Sequence, residues 1–327
     1  MSHGSTKAVV TAIIGNSLVT VAKFVGFMFS GSSALLAEAV HSLADTANQA
    51  LLYLGLKRSQ RVADGQYHFG YGQERYFWNL VSAVTIFFLG CIYTMMHALG
   101  QLEGGHEPEM SWLVFAILAF AFVVEGYSLW VAYQEFTRQR LEKNMGFMQY
   151  VKATRDPTTL AVLIEDTVAV LGLVVALVGM SLAAYTGSAL FDIGAAMIIA
   201  MLMGLLAFFL AATNKKYLLN VSDETTNAAA LKTWSADPRV QNVHHVHSIV
   251  LSPDESIVMA EVELCEETLF SDMSEAEIQQ AVRFMKRLDT VRLSLEAEVR
   301  QQNDEAKHIY LEFTGLPEDV QKSNKEE

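Results

Sequence analysis

Six apolar stretches constrain this chain more than any other feature. They run from about Val9 to Ser30, Ser33 to Leu56, Tyr76 to Leu99, Trp112 to Tyr133, Leu160 to Ala183 and Ala189 to Ala212. Each is near the ~20 apolar residues that carry a helix across a bilayer core. Backbone polar groups must be satisfied internally there, so runs of this length read as helices. An all-α six-helix transmembrane bundle over residues 1–216 is the expectation. The composition agrees: 52% of residues are hydrophobic and 18% charged, as suits a membrane protein carrying a soluble part. A net charge of −13 argues against a nucleic-acid partner. Two cysteines, Cys91 and Cys265, provide neither a disulfide framework nor a CxxC metal pair. The first apolar run is too long for a signal-peptide core, so no cleavable targeting segment is expected.

Charges between the stretches sort by side. Lys57, Arg58, Arg61 and Arg75 flank one connection, Arg138, Arg140, Lys143, Lys152 and Arg155 fill another, and Lys215 and Lys216 follow the sixth stretch. The alternate connections, Gly31-Ser32, Gln101–Met110 and Tyr185–Ser188, carry no Lys or Arg. The positive-inside rule then puts both termini in the cytoplasm. A bacterial inner membrane is the expected host.

Inside the second stretch lies Glu38-Ala39-Val40-His41-Ser42-Leu43-Ala44-Asp45. A charged side chain at the bilayer centre costs at least ~2.5–3.5 kcal/mol, so it marks a function by default. His41 and Asp45 are one helical turn apart and project from one face, with Glu38 and Asn48 extending the stripe. Imidazole and carboxylate at that spacing make half of a divalent-metal site. The competing explanation is a polar pair that glues helices by hydrogen bonds. Elsewhere, Lys23 in the first stretch either snorkels or pairs with a carboxylate. Glu125 in the fourth is either a ligand or a buried acid that is protonated or paired with a tyrosine. In the fifth stretch Glu165 and Asp166 are adjacent and point about 100° apart, so only one can face the same site as His41 and Asp45. No HExxH, GxSxG or nucleophile–base pair suggests an enzyme. A non-transporting membrane receptor or scaffold is the other competing class.

The segment Gly31–Asp45 resembles the second-helix signature of the cation diffusion facilitator family. Gly70-Tyr71-Gly72 followed by Glu74-Arg75-Tyr76, and the six-stretch count, support the resemblance. It implies a dimeric exporter of zinc or a similar divalent ion in exchange for protons, with no resident cofactor. The family's site joins an acid-or-His-x-x-x-Asp pair on the second helix to His-x-x-x-Asp on the fifth. Those positions map to His41, Asp45 and Asp166, but Val162 replaces the second histidine. A fourth ligand could come from Glu125, Asn48, Glu165 or water. Leu-Ile-Glu-Asp-Thr on the fifth helix and Lys-His-Ile-Tyr-Leu-Glu near the end resemble the subgroup containing the animal mitochondrial zinc transporter. One imidazole among oxygens also admits Mn²⁺, Fe²⁺ or Co²⁺. Of the loop site some members carry between the second and third helices, only Asp64 and His68 remain, so no loop site is expected.

From Tyr217 onward the chain turns polar. A helix near Thr225–Ala236, strands near Val240–Leu251 and Ser256–Leu264, a long amphipathic helix from Asp272 to Asn303 and a third strand over His308–Phe313 are expected. This order resembles the family's C-terminal α+β ferredoxin-like cytoplasmic domain, here 217–316, which helps hold the homodimer. Residues 317–327 read as a charged tail. On the first strand His245 and His247 share a face and His244 points oppositely. A regulatory metal site there with His308 or Cys265 is conceivable, but surface histidines are the commoner case.

Overall fold

The structure is a computed structural model that describes residues 3–104, 109, 111–153, 157–303, 305–306 and 308–313. The helices are α1 (His3–Ser30), α2 (Ser33–Ser59), α3 (Glu74–Thr85), α4 (Thr94–Gly104), α5 (Trp112–Glu142), α6 (Phe147–Ala153), α7 (Pro157–Thr186) and α8 (Leu190–Leu218). A π-helical segment, Ile86–Tyr93, joins α3 to α4 without a break. Then come α9 (Glu224–Ser235), β1 (Val240–Ser252), β2 (Glu255–Leu264), α10 (Glu266–Leu269) and α11 (Glu275–Gln302).

Among the described residues, four segments are long and apolar enough to cross a membrane: Glu74–Glu103, Trp112–Glu142, Thr159–Thr186 and Leu190–Leu218. The expectation of six is met by that measure in four. The second apolar stretch forms a 27-residue helix, α2, but its polar stripe lowers its hydropathy. The first lies in α1, of 28 residues.

Two compact units make up the chain. The first comprises residues 1–232 and 245–261. Its core is built from small residues on α2, α7 and α8, including Ala34, Ala37, Ala176, Ala195 and Ala196, with Leu173, Met180, Ile199 and Met203 filling between them. Small side chains let apolar helices approach closely, the main source of packing energy where lipid replaces water. Gly31 turns the chain from α1 into α2 at φ +65°, a conformation that glycine adopts without penalty. The start of α2 is capped twice. Ser32 accepts from the Leu35 amide at 3.1 Å, and the buried Asp192 of α8 accepts from the Ser32 hydroxyl and from the Ser33 amide at 2.6 Å. A carboxylate there satisfies free amides and complements the helix dipole. At the other end of the bundle, Tyr76 and Tyr217 stack with ring centroids 4.4 Å apart. Asp223 begins α9, accepting from the Thr226 amide at 3.0 Å and the Ser256 hydroxyl at 2.8 Å.

The second unit comprises residues 233–244 and from 262 onward. Its α11 starts at a capping box of Ser274 and Glu277, and Glu296 is clasped by Arg292 and Arg300 on the same helix, at 2.6 and 3.2 Å. Strands β1 and β2, most of whose residues belong to the first unit, pair as a hairpin, the two-stranded sheet present among the described residues. The expected third strand over His308–Phe313 does not form: a strand is defined by its ladder, and these residues have none. In chain order the described elements after residue 217 are a helix, two strands, a short helix and a long helix, and the expected ferredoxin-like arrangement is not established by them. The expected tail 317–327, with Arg155 of the basic connection, lies outside the described residues.

Candidate metal site

The polar stripe of α2 runs through Glu38, His41, Ser42, Asp45 and Asn48. Counted from Glu38 they fall three, four, seven and ten residues on and so lie on one helical face. Four other helices meet it. From α1, the ammonium of Lys23 donates to Glu38 Oε2 at 2.8 Å, to Ser42 Oγ at 2.8 Å and, on α5, to Glu125 Oε1 at 2.6 Å. Lys23 and Glu38 are completely buried. Lys23 therefore does not snorkel. The partner of Glu125 is Lys23 rather than a tyrosine. Gly172 of α7 makes the space for this group, because a Cβ there would stand 2.3 Å from Glu38 Oε1.

One turn further along α2 lies a second group. His41 Nε2 is 3.4 Å from Asp45 Oδ2 without a hydrogen bond between them, and neither ring nitrogen has another partner. Asp45 is within hydrogen-bonding range of Glu165 on α7. Asn48 donates from its amide nitrogen to both oxygens of Glu165, at 2.6 and 2.7 Å, and accepts from the Ser82 hydroxyl of α3. Asp166 faces elsewhere, accepting from Ser128 of α5 at 2.9 Å. Adjacent side chains do diverge as helix geometry requires, and it is Glu165 that meets the α2 stripe directly. Val162, one turn before Asp166, packs against the apolar cluster of Ala132, Phe136 and Leu163.

Among the described residues, no three His, Cys, Asp or Glu side chains are gathered tightly enough to hold a metal ion as they stand. The candidate ligands are instead held apart in pairs. Yet Glu38 Oε1, both nitrogens of His41, Asp45 Oδ1 and Glu125 Oε2 are buried without hydrogen-bond partners. Buried polar atoms are normally satisfied, and five orphaned polar atoms around one stripe, three of them carboxylate oxygens and one the unprotonated nitrogen of a neutral His41, fit a cation as the missing partner. Ser42, Ser82 and Ser128 are parts of the site that sequence reasoning missed. Their only signal was spacing: Ser42 is four residues from Glu38, and Ser128 is three from Glu125.

The loop between α2 and α3 has no such orphans. Asp64 accepts from the Tyr71 hydroxyl at 2.6 Å and from the Gln66 and Tyr67 amides. The Tyr71 bond and the two amides hold this carboxyl down at about 2. His68 turns to the carbonyl of Gly65. An open cavity of about 730 Å³, lined by Tyr67, Phe69, Phe77, Leu218 and Leu251 among others, includes no residue of the stripe. On β1, the rings of His245 and His247 stack 6.3 Å apart, although His245 at φ +46° interrupts the regular two-residue repeat, while His244 lies 3.4 Å from Glu263. These histidines are not gathered into a metal cluster among the described residues.

The profile described as "cation efflux transmembrane domain" matches residues 9–219. Over 336 residues the chain is 33% identical to the human protein named proton-coupled zinc antiporter SLC30A9, mitochondrial, which covers 95% of this chain and 59% of that protein. It is 34% identical over 260 residues to metal tolerance protein C4 of Arabidopsis thaliana, 79% of this chain and 57% of the other. A shorter match, 30% over 123 residues, is to magnetosome protein MamB of Magnetospirillum gryphiswaldense. The chain spans less than two thirds of the length of the human and Arabidopsis relatives. With the matched profile covering the helices that carry the polar stripe, the chain belongs to the cation efflux family, the cation diffusion facilitators.

Proposed function

We propose that this protein exports a divalent cation, Zn²⁺ first, from the cytoplasm in exchange for protons, as a transporter rather than an enzyme. The observation that carries the reading is the buried His41–Asp45–Glu165 group with its unbonded donor atoms. His41, Asp45 and Glu165 take the ion, and Asp166 joins them by giving up Ser128. Asn48 steers Glu165 beside the ion, and Glu125, held by Lys23 at rest, is not among the ligands of this site. The likeness to a relative named a proton-coupled zinc antiporter supports both the ion and the exchange. Asp45 and Glu165 can share a hydrogen bond only while one of them holds a proton. Metal needs both deprotonated, so an incoming ion displaces that proton, and a returning proton releases the ion. Alternating exposure of the stripe to the two membrane faces completes the cycle. An oxygen-rich set with one imidazole favours Mn²⁺, Fe²⁺ or Co²⁺ as the second reading of the cargo.

The remaining architecture follows the same proposal. Residues 1–216 cross the membrane six times, with α1 and α2 included and both termini cytoplasmic; a bacterial inner membrane is the host. Residues 217–316 form a ferredoxin-like dimerisation domain, followed by the tail 317–327. The exposed apolar side chains of α11, among them Phe284, Val291, Leu293 and Val299, support a second copy as their cover. The test is Zn²⁺ and Mn²⁺ flux into proteoliposomes, with and without a pH gradient, for wild type and Asp45→Ala. Flux that needs both Asp45 and the gradient is expected. Flux indifferent to the gradient refutes proton exchange, and none of either ion from folded protein refutes export of these ions.

A further inference from the structure

Lys23 is a buried charge that the transport reading leaves without a task. Its ammonium meets three oxygens at 2.6–2.8 Å, two from Glu38 and Ser42 on α2 and one from Glu125 on α5. That is the coordination of a bound cation, supplied here by a tethered one. The charges do not balance: two carboxylates face one ammonium, and each carboxylate keeps one buried oxygen with no partner, Glu38 Oε1 and Glu125 Oε2. A divalent ion would neutralise the pair fully and engage those oxygens, since hard cations take carboxylate and hydroxyl oxygens readily. Room for the Glu38 carboxylate is kept by the missing side chain of Gly172.

The location matters as much as the chemistry. Glu38 lies five residues into α2 and Lys23 seven from the end of α1, which at ~1.5 Å per residue is about 8–10 Å from the Gly31 end of the bundle. His41 and Asp45 lie deeper. Glu125 also accepts from the Ser42 hydroxyl at 3.3 Å, and Ser42 follows His41 directly in α2, so this group adjoins the His41–Asp45 stripe on the side of that end. An ion leaving the stripe that way meets a fixed positive charge that repels it.

We propose that Glu38, Ser42 and Glu125 form a second divalent-cation site, filled by the ammonium of Lys23 at rest and yielded to the ion in transit. The route rests on the transport reading above; the site itself does not. The ammonium acts as a plug that only a competing cation displaces, so the path closes behind each ion without a separate gate. Removing the ammonium should therefore leave a site that a free ion fills.

The test counts bound Zn²⁺ and Mn²⁺ by equilibrium binding to the purified, metal-stripped full chain at neutral pH. With every count taken at ion concentrations too low to displace the ammonium from wild type, Lys23→Met is expected to bind one equivalent per chain more than wild type, which gains that ion only at the higher, saturating concentrations. Adding Glu38→Gln or Glu125→Gln should abolish the gain, and adding Asp45→Ala should leave it. A monodisperse Lys23→Met protein with the wild-type stoichiometry overturns the proposal, as does a gain that survives loss of both glutamates. Lys23→Gln, which keeps a hydrogen-bond donor, carries the same expectation should the methionine variant not fold. In wild type, saturating Zn²⁺ or Mn²⁺ should raise reductive methylation of Lys23 several-fold, read by mass spectrometry; labelling unchanged by both ions counts against displacement and overturns it. Wild type that binds no metal beside a variant that gains one equivalent would refute the His41–Asp45 site and leave this one standing.

Discussion

Gly172→Ala is the sharpest probe of the packing that holds the buried charges. The new Cβ would stand 2.3 Å from Glu38 Oε1, well inside the 3.0 Å that real Cβ contacts keep, with Ile199 Cγ1 already in ordinary contact at 3.8 Å. A carboxylate at the end of a flexible side chain would normally swing aside. Glu38 is not free to do so, because its other oxygen is bonded to Lys23, which is in turn bonded to Ser42 and Glu125. Either α7 moves away from α2 or the Lys23–Glu38 pair lengthens. Overpacking of this kind costs ~1–3 kcal/mol, while alanine gains ~1 kcal/mol over glycine in a helix interior. The net expectation is a loss of about 0–2 kcal/mol. Thermal unfolding in detergent reads it, in a double-mutant cycle with Glu38→Asp, whose shorter side chain withdraws from the new Cβ. The two substitutions should couple favourably, by ~0.5–3 kcal/mol, as contacting residues do. Additive effects would refute the reasoning, because the clash would then lie somewhere other than at Glu38.

Two further outcomes can be checked directly. Asn48→Leu removes the amide that bonds both Glu165 oxygens and accepts from Ser82, leaving the Ser82 hydroxyl without its acceptor and the buried Glu165 with Asp45 alone. Hydrogen bonds between membrane helices average ~0.6 kcal/mol, and an orphaned buried group costs ~1–3 kcal/mol, so a loss of about 2–4 kcal/mol in thermal unfolding is expected, with Ser82→Ala recovering part of it. Burial raises the carboxyl of Asp223, but hydrogen bonds from Thr226, Ser256 and Thr225 outweigh it and pull the group down to about 2. A depressed folded value stabilises α9 fully above the ordinary carboxylate value and loses that stability as pH falls through about 2. Amide-exchange protection at Thr226 and Asn227 should fall over that window in wild type, and the step should vanish in Asp223→Asn.

How much of this was legible in the sequence depended on distance along the chain. The α2 stripe was readable because Glu38, His41, Asp45 and Asn48 obey one helical repeat within a single apolar run. The soluble elements were readable to within a few residues for the same reason: α11 and the β1–β2 hairpin carry their periodicity and their turn locally. The partner of Glu125 was not readable, since Lys23 is 102 residues away and nothing local links them. Nor could the sequence choose between Glu165 and Asp166. It required that they diverge, but which one faces Asn48 is set by the rotation of α7, and that is a property of packing. The third strand failed for a related reason, because a strand needs an edge to pair with and His308–Phe313 contains only the propensity.

Val162 offers the test that joins the ligand set to the choice of ion. It occupies the turn before Asp166 where the family pattern places histidine, and here it packs among Ala132, Phe136 and Leu163. The proposed site is thereby left with one imidazole among carboxylates, a set that discriminates poorly between zinc and harder ions. Val162→His adds a nitrogen donor on the same helical face as Asp166, at the expense of a polar ring against an apolar cluster. Transport of Zn²⁺ relative to Mn²⁺ in proteoliposomes should rise several-fold, and Zn²⁺ affinity should rise with it. Ala132→Gly in the same chain should relieve crowding without changing the ratio. If Val162→His folds and the ratio stays at the wild-type value, then Asp166 does not turn from Ser128 towards the ion, and the metal is held from α2 and Glu165 alone.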